Sequence, residues 1–326
     1  MSSDFTRTRN KKRAENAFAR RSGTERNKGP RKNVYNDGQA PAGSDNDPRS
    51  MFPLRTTLAL LLCTGCVALA ARPPVGIAYW DLDHFHDTLP ALFYDDSDYT
   101  PEGRLRWTAE RYARKVRCAA AVIDSMALPV VALWSVENEE VVRDIAATVE
   151  GDYSYLHRTL NSLDGMDFAL LYHGDRFFPH YVEPGRRYLY VEGLLRRGEG
   201  LRDTVGLLLC SDARMAEGLV ADLRDEHPGV RLIVAGRAAP ADPAACGLRD
   251  GHAGAERAGR GNIRARGGWR MRDRILADTA FRLRGGDVYL RRFLLDDATG
   301  YPSPTYDSRR YRSGCSYALP VFVYLE

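Results

Sequence analysis

Apolar and polar positions fall into short blocks from residue 75 onward. Residues 75–80 (Val-Gly-Ile-Ala-Tyr-Trp) are an unbroken apolar run of strand length, which predicts a buried strand. Thr100-Pro101-Glu102 carries the residue types of a helix start, Thr as N-cap and Pro in the first turn. Behind it Leu105, Ala109, Tyr112, Val116, Ala119, Ile123 and Met126 recur at three- and four-residue spacing, so an amphipathic helix is expected from Thr100 onward. A strand over 129–134, a helix over 139–148 and a strand over 168–172 follow. Further strands are expected at 188–194, 205–209 and 232–235, with a helix at 213–226 and an apolar run at 319–324. Some neighbouring strands have no helix between them, so the class is α/β with mixed sheets. Residues 243–272 are rich in Ala, Gly and Arg without periodicity, and read as a long surface loop.

Charge separates the N-terminus from the rest. Residues 1–50 hold twelve Lys and Arg against six Asp and Glu, while the chain as a whole has a formal net charge of +4. This extension is polar, basic and too poor in apolar residues to form a core, so it is expected to be disordered. Beyond it the balance is slightly acidic, which argues against strong nucleic-acid binding by the folded domain. Residues 56–71 carry no charge and follow Arg55, the pattern of an export signal over 51–71 with Met51 as its start. Three outcomes stay open there: cleavage after Ala68-Leu69-Ala70, lipidation of Cys66 in Thr64-Gly65-Cys66, or a signal anchor. Each places the 72–326 domain at the cell envelope, with a membrane partner through a Cys66 lipid or the anchor. Cys118, Cys210, Cys246 and Cys315 show no CxxC spacing and suggest no disulfide framework.

Five ordered segments resemble one known family. They are Thr100-Pro101-Glu102-Gly103 with the helix after it, residues 129–133, Gly165–Tyr172, Gly261–Trp269 with Asp273-Arg274-Ile275-Leu276, and Ser316 with Leu319-Pro320. In that order they resemble the endonuclease/exonuclease/phosphatase superfamily over about residues 75–326. The resemblance implies a DNase I-like four-layer sandwich: two mixed β-sheets packed face to face and flanked by helices. It also implies Mg²⁺-dependent phosphoester hydrolysis, in which carboxylates hold the metal, a His moves a proton and an Asp orients that His.

The positions that would carry this chemistry depart from the pattern. Asp81 stands where the family has Asn, Ser135 where it has the metal-binding Glu, and Cys210 where it has a His. Arg237 and Ala239 replace the Asp and Asn of a Gly-Asp-Phe-Asn turn, and Tyr317 and Ala318 replace the Asp–His pair. The expectation is a pseudoenzyme acting as a binding or structural domain, with no catalytic residue intact, no cofactor and no metal. The alternative is an active phosphodiesterase or nuclease using Mg²⁺ or Mn²⁺ on relocated ligands Asp81, Asp83, Glu137 and Asp273.

Three other features bear on function. Asp81, Asp83, His84, His86 and Asp87 place five candidate ligands in seven residues; an extended backbone would set the two histidines on one face, away from Asp81 and Asp83. Arg257, Arg260, Arg264, Arg266, Arg270, Arg272 and Arg274 suit a solvated basic loop or a phosphate-binding one. An anion is the expected partner at Arg237. The resemblance puts Cys210 and Cys315 near the cleft, as buried thiols or as a redox or soft-metal pair.

Overall fold

A computed structural model describes residues 74–160, 162–198, 200, 202–237, 240 and 242–326. The basic extension, the export segment with Cys66, and Ala239 lie outside the described residues. In chain order the elements are β1 (Val75–Phe85), α1 (Ala109–Met126), β2 (Val130–Val136), α2 (Glu139–Thr148), β3 (Ser154–Arg158), β4 (Asp167–Tyr172), β5 (Phe177–Pro184), β6 (Tyr188–Arg196), β7 (Arg202–Cys210) and α3 (Ala213–Glu226). There follow β8 (Arg231–Gly236), β9 (Leu248–Asp250), α4 (Ala253–Arg257), β10 (Ile263–Ala265), β11 (Gly268–Arg270), β12 (Arg274–Asp278), β13 (Leu283–Val288), β14 (Tyr306–Asp307), β15 (Arg310–Tyr311) and β16 (Val321–Leu325).

Two six-stranded sheets form the centre, in the orders β13-β16-β1-β2-β4-β3 and β5-β6-β7-β8-β12-β9. β1–β2 and β7–β8 pair in parallel and the other neighbours are antiparallel, so both sheets are mixed. One apolar core joins the inner faces, with Ile77, Val131 and Leu170 of the first sheet packed with Leu207, Ile233 and Ile275 of the second. Val116, Ile123, Val141 and Ile145 of α1 and α2 belong to the same core. A separate cluster (Tyr190, Leu208, Val234, Leu276) is covered by Ala216, Val220 and Leu223 of α3. β2 is buried at all seven positions because it is covered on both faces, which explains why it reads as continuous Val-Val-Ala-Leu-Trp rather than as alternation. The fold is thus an α/β sandwich of two mixed sheets flanked by helices, as expected.

Local signals misled the sequence reading in three places. The first helix begins at Ala109 rather than at Thr100, and its N-cap is Thr108, whose Oγ1 accepts from the Arg111 N–H. Residues 100–107 instead fold as a turn, with Gly103 and Trp107 N–H both donating to the Thr100 carbonyl. Gly103 is required there, since a Cβ would lie 2.1 Å from the Ser97 carbonyl oxygen. β1 runs on to Phe85 through a bulge. The 243–272 stretch is not a surface loop: it contains β9, α4 and the β10–β11 hairpin, and it buries His252 and Asn262 completely.

Candidate functional site

The C-terminal ends of β1, β2 and β8 and the segment before β16 meet at one side of the sandwich. The β1–β2 register shifts between Asp81 and Phe85, and Asp83 (φ 58°), His84 (φ 49°) and Ser135 (φ 68°) take left-handed conformations. Such residues cost roughly 1–3 kcal/mol each unless their surroundings hold them. Here the released backbone groups are held, because the His84 N–H donates to Ser135 Oγ at 2.9 Å and Lys115 Nζ donates to the Asp83 carbonyl at 2.7 Å. Ser135 therefore splints two strands. At the end of β8, Gly236 has φ 134°, and a Cβ there would lie 2.1 Å from the Cys210 carbonyl oxygen. This glycine lets the chain turn and carries Arg237 toward β1.

Asp81 is the hub. Its Oδ2 accepts from Arg237 Nη2 (2.8 Å), Arg272 Nη2 (3.0 Å) and the Tyr317 hydroxyl (2.8 Å), and its Oδ1 accepts from the Asp83 N–H (3.0 Å). Arg272 also forks onto Asp273, Nε to Oδ1 at 2.8 Å and Nη2 to Oδ2 at 2.6 Å, so one guanidinium bridges two buried carboxylates. Its plane lies over the Tyr317 ring, 4.9 Å from the centroid. Arg237 Nη2 and Arg272 Nη1 each donate to the Tyr317 hydroxyl at 2.7 Å. Asn262 completes the shell: its Nδ2 donates to Asp273 Oδ2, and its Oδ1 accepts from the Arg272 and Asp273 N–H groups.

The charges of the cluster cancel, two carboxylates against two guanidiniums. Burial alone would raise the Asp81 carboxyl, but Arg272 and Arg237 outweigh it and hold the group below the usual carboxylate value. Burial would lower the Arg272 guanidinium, yet Asp273 and Asp81 hold it above its ordinary value. Burial, then the Asp81 charge, raises the Tyr317 hydroxyl, so it remains protonated and can donate.

Of the expected positions, Asp81, Arg237 and Tyr317 are in direct contact. Ser135 lies beside them across the β1–β2 bulge, and Ala318 presents its carbonyl to Trp80 Nε1 and its N–H to Ser316 Oγ. Cys210 is not in the cleft. It belongs to the outer cluster beneath α3 with Leu208 and Ala216, because strand alternation turns it away from the inner face. Cys315 is no free thiol either: it forms a disulfide with Cys118 on α1, across a sequence separation of 197. Neither a Cys210–Cys315 redox pair nor a soft-metal site is formed.

The relocated set Asp81, Asp83, Glu137 and Asp273 does not converge. Asp81 and Asp273 hold Arg272, Asp83 Oδ2 accepts from the Thr305 N–H, and Glu137 bonds His86, Tyr94 and the Asp87 N–H. The two histidines also part company, His86 buried and His84 exposed, because left-handed turns at residues 83 and 84 break the alternation. The arginine run is largely engaged: Arg272 in the cluster, Arg274 with Asp250 and Glu256, Arg260 with Asp287, and Arg264 over the Tyr301 ring. Arg272 and Asn262 were missed as site residues, although the position of Arg272 beside Asp273 in the resembling segment was a usable signal.

A divalent Mg²⁺ or Mn²⁺ needs several oxygen ligands and open water positions. The groups here are the carboxylates of Asp81 and Asp273, already bridged by Arg272, the Ser135 hydroxyl already used by a backbone N–H, the Tyr317 hydroxyl, and two guanidiniums. At an effective dielectric of about 20, one guanidinium about 4 Å from a divalent ion opposes it by about 8 kcal/mol. The donor set does not fit the metal.

The model of the endonuclease/exonuclease/phosphatase family matches residues 76–192. No curated protein sequence matches the chain. Among solved structures, a Bacteroides thetaiotaomicron mannosyl-6-phosphatase is similar at 13% identity and TM-score 0.52, covering 77% of this chain and 99% of that one. An endonuclease/exonuclease/phosphatase family protein from the same species is similar at 13% identity and TM-score 0.50, over 77% and 98%. The endonuclease/exonuclease/phosphatase from Bacteroides vulgatus matches at 13% and 0.50, over 78% and 98%. The segment that matches this family's model thus runs from β1 into β6, and the two-sheet sandwich is the fold shared with these solved structures.

Proposed function

We propose that this is an exported family member that has given up metal-dependent hydrolysis and works as a binding domain for an anion. The observation that carries the reading is the Arg272 guanidinium shared between Asp81 and Asp273, with Arg237 on the same Asp81 oxygen. Tethered cations occupy the electrostatic role a metal would take. Neither arginine can act as a base, since a guanidinium stays protonated at any physiological pH, and among the described residues no histidine bonds the Asp81 carboxylate.

Arg237 is the recognition group in this reading. Its Nε is buried without a partner, while its side chain is 37% exposed. Cys210 pairs with Gly236, so Ser211 and Arg237 leave neighbouring strands side by side. Ser211 lines a cavity of about 170 Å³ with Trp134, Asp164, Arg186 and Arg187, where two guanidiniums against one carboxylate could contact a phosphate or carboxylate. Export is supported by the uncharged segment 56–71 and by the Cys118–Cys315 disulfide, since such bonds persist in oxidising compartments.

Purified protein should show no Mg²⁺- or Mn²⁺-dependent hydrolysis of DNA, RNA, simple phosphodiesters or phosphomonoesters. It should bind inorganic phosphate or a simple phosphomonoester weakly by calorimetry, and Arg237→Ala should abolish that binding. Chelator-sensitive turnover that disappears in Asp81→Ala would establish an active metalloenzyme instead. For export, mass spectrometry should find a mature N-terminus at Cys66 or near Ala71; a cytoplasmic protein intact from Met1 would refute it.

A further inference from the structure

A second acidic cluster lies apart from the Asp81 network, at the start of the segment leaving β1. His86, Asp96 and Glu137 are all buried, and one ligand atom from each lies within 4.8 Å of the other two. We propose that these three side chains bind a divalent transition metal ion, with Zn²⁺ as the best-fitting species, and that the ion pins residues 87–96 onto the end of β2.

Charge in this cluster is unbalanced. Asp96 and Glu137 are each only 4% exposed, and among the described residues no Lys or Arg forms an ion pair with either. Two carboxylates brought together out of water repel each other and lose hydration, an arrangement that needs a compensating cation. Around Asp81 that cation is supplied by arginine; here the protein supplies only His86.

The hydrogen bonding is also incomplete on one side. Glu137 is well served: Oε1 meets His86 Nδ1 at 3.2 Å and the Tyr94 hydroxyl at 3.0 Å, and Oε2 accepts from the Asp87 N–H at 2.6 Å. Asp96 is not. Its Oδ1 accepts from the Ala91 N–H at 2.9 Å, while its Oδ2 is buried with no partner at all. A buried carboxylate oxygen left without a donor is destabilising when charged, and a metal–oxygen bond would satisfy it.

The ligand geometry suits zinc. Ligands about 2.0–2.1 Å from a tetrahedral ion lie roughly 3.3 Å from each other. The His86–Glu137 separation of 3.2 Å is already at that value. One imidazole and two carboxylates form a mixed nitrogen–oxygen set, which favours Zn²⁺ over the all-oxygen preference of Mg²⁺ and Ca²⁺. His86 is held for the role by stacking on Tyr99, 3.9 Å between centroids, and by the Trp107 Nε1 bond to its carbonyl. Glu183, Glu226 and His227 make a comparable triad, but the Tyr181 and Tyr188 hydroxyls occupy Glu183 and Glu192 pairs with His227. That triad serves as the internal control.

The full mature protein would be stripped with chelator, re-equilibrated with ZnSO₄ and measured for bound metal by atomic emission after dialysis. The expected result is one Zn²⁺ per chain, a zinc-dependent rise in melting temperature, and protection of residues 87–96 from protease. Glu137→Gln and Asp96→Asn should each weaken binding at least tenfold, while His227→Ala leaves it unchanged. Should either variant fail to fold, Co²⁺ added to the unmutated protein should give the visible absorption of a tetrahedral site. Absence of stoichiometric zinc, loss of binding in His227→Ala alone, or Co²⁺ without that absorption overturns the proposal. None of these readouts involves phosphoester turnover, so the anion-binding reading stands or falls separately.

Discussion

The domain contains two buried acidic pairs that solve the same electrostatic problem differently. Asp81 and Asp273 are matched by Arg237 and Arg272, with every carboxylate oxygen holding at least one donor. Asp96 and Glu137 have only an imidazole between them, and one Asp96 oxygen has nothing. In the first case the compensating charge is covalently part of the chain, so the region is complete as folded. In the second it must come from outside or be forgone. Acidic residues at the end of a strand therefore say little about metal binding until their cationic neighbours are known.

The largest test of this contrast is removal of the built-in cation. Arg272→Met should leave Asp273 buried without a cation and Asp81 with Arg237 alone, costing about 3–5 kcal/mol and on the order of 10 °C in melting temperature by calorimetry. A loss under about 1 kcal/mol would mean the bridge contributes little. Next is the disulfide, which joins α1 to the residue preceding Ser316-Tyr317. In the chain-entropy model a loop of this size is worth about 5 kcal/mol, and removing such a bond typically costs about 2–5. Cys118→Ala with Cys315→Ala should lower stability by that amount. Hydrogen exchange should rise around Tyr317 before it rises around Glu137, since the crosslink borders only the first cluster.

A smaller effect with an informative sign comes from Asp96→Asn. In metal-free protein it removes a poorly matched buried charge and should stabilise by about 1–2 kcal/mol. In zinc-loaded protein the sign should reverse. The same substitution logic at Asp81, where the charge is matched, should destabilise under both conditions.

A further effect is pH-dependent. Burial pushes Lys115 down to about 8, although Asp83 and Asp81 pull the other way. Between that value and its ordinary one near 10.5, the unfolded chain holds a proton the folded chain lacks, so the contribution to stability rises with pH. It is complete above the unfolded value and lost as pH falls through about 8. Urea denaturation from pH 7.5 to 10 should show this rise, and Lys115→Met should flatten it relative to the unmutated protein.

Much of the architecture could be read from the chain because local signals and packing agreed. The second helix, 139–148, was placed to the residue: Asn138 caps it through a bond to the Val141 N–H, and Val141, Val142 and Ile145 form its buried stripe. The third helix was placed equally well, behind the Asp212 cap. Agreement failed where a local signal was overruled. Thr100-Pro101 has the chemistry of a helix start, but its backbone is used to close a turn. The short strands β9 to β11 have no room for a period, so Asn262 and His252 could not be recognised as interior residues. At the site, Asp81, Arg237 and Tyr317 came from motif position. Arg272 lies among six other arginines, and its one distinguishing mark in the sequence is its place beside Asp273 in the resembling segment. Cys118 and Cys315 gave no spacing signal because the bond spans most of the domain.

The position of β16 in its sheet has a consequence for biosynthesis. This strand sits between β13 and β1, so among the described residues the most C-terminal strand pairs with the most N-terminal one. Until β16 is available, one edge of β1 carries open hydrogen-bonding groups on a strand that is apolar from Val75 to Trp80, a template for association with other chains. A nascent chain must keep that edge covered until Val321–Leu325 has been made. Loss of Val321–Leu325 would leave a molecule with most of its core present and an adhesive seam along it.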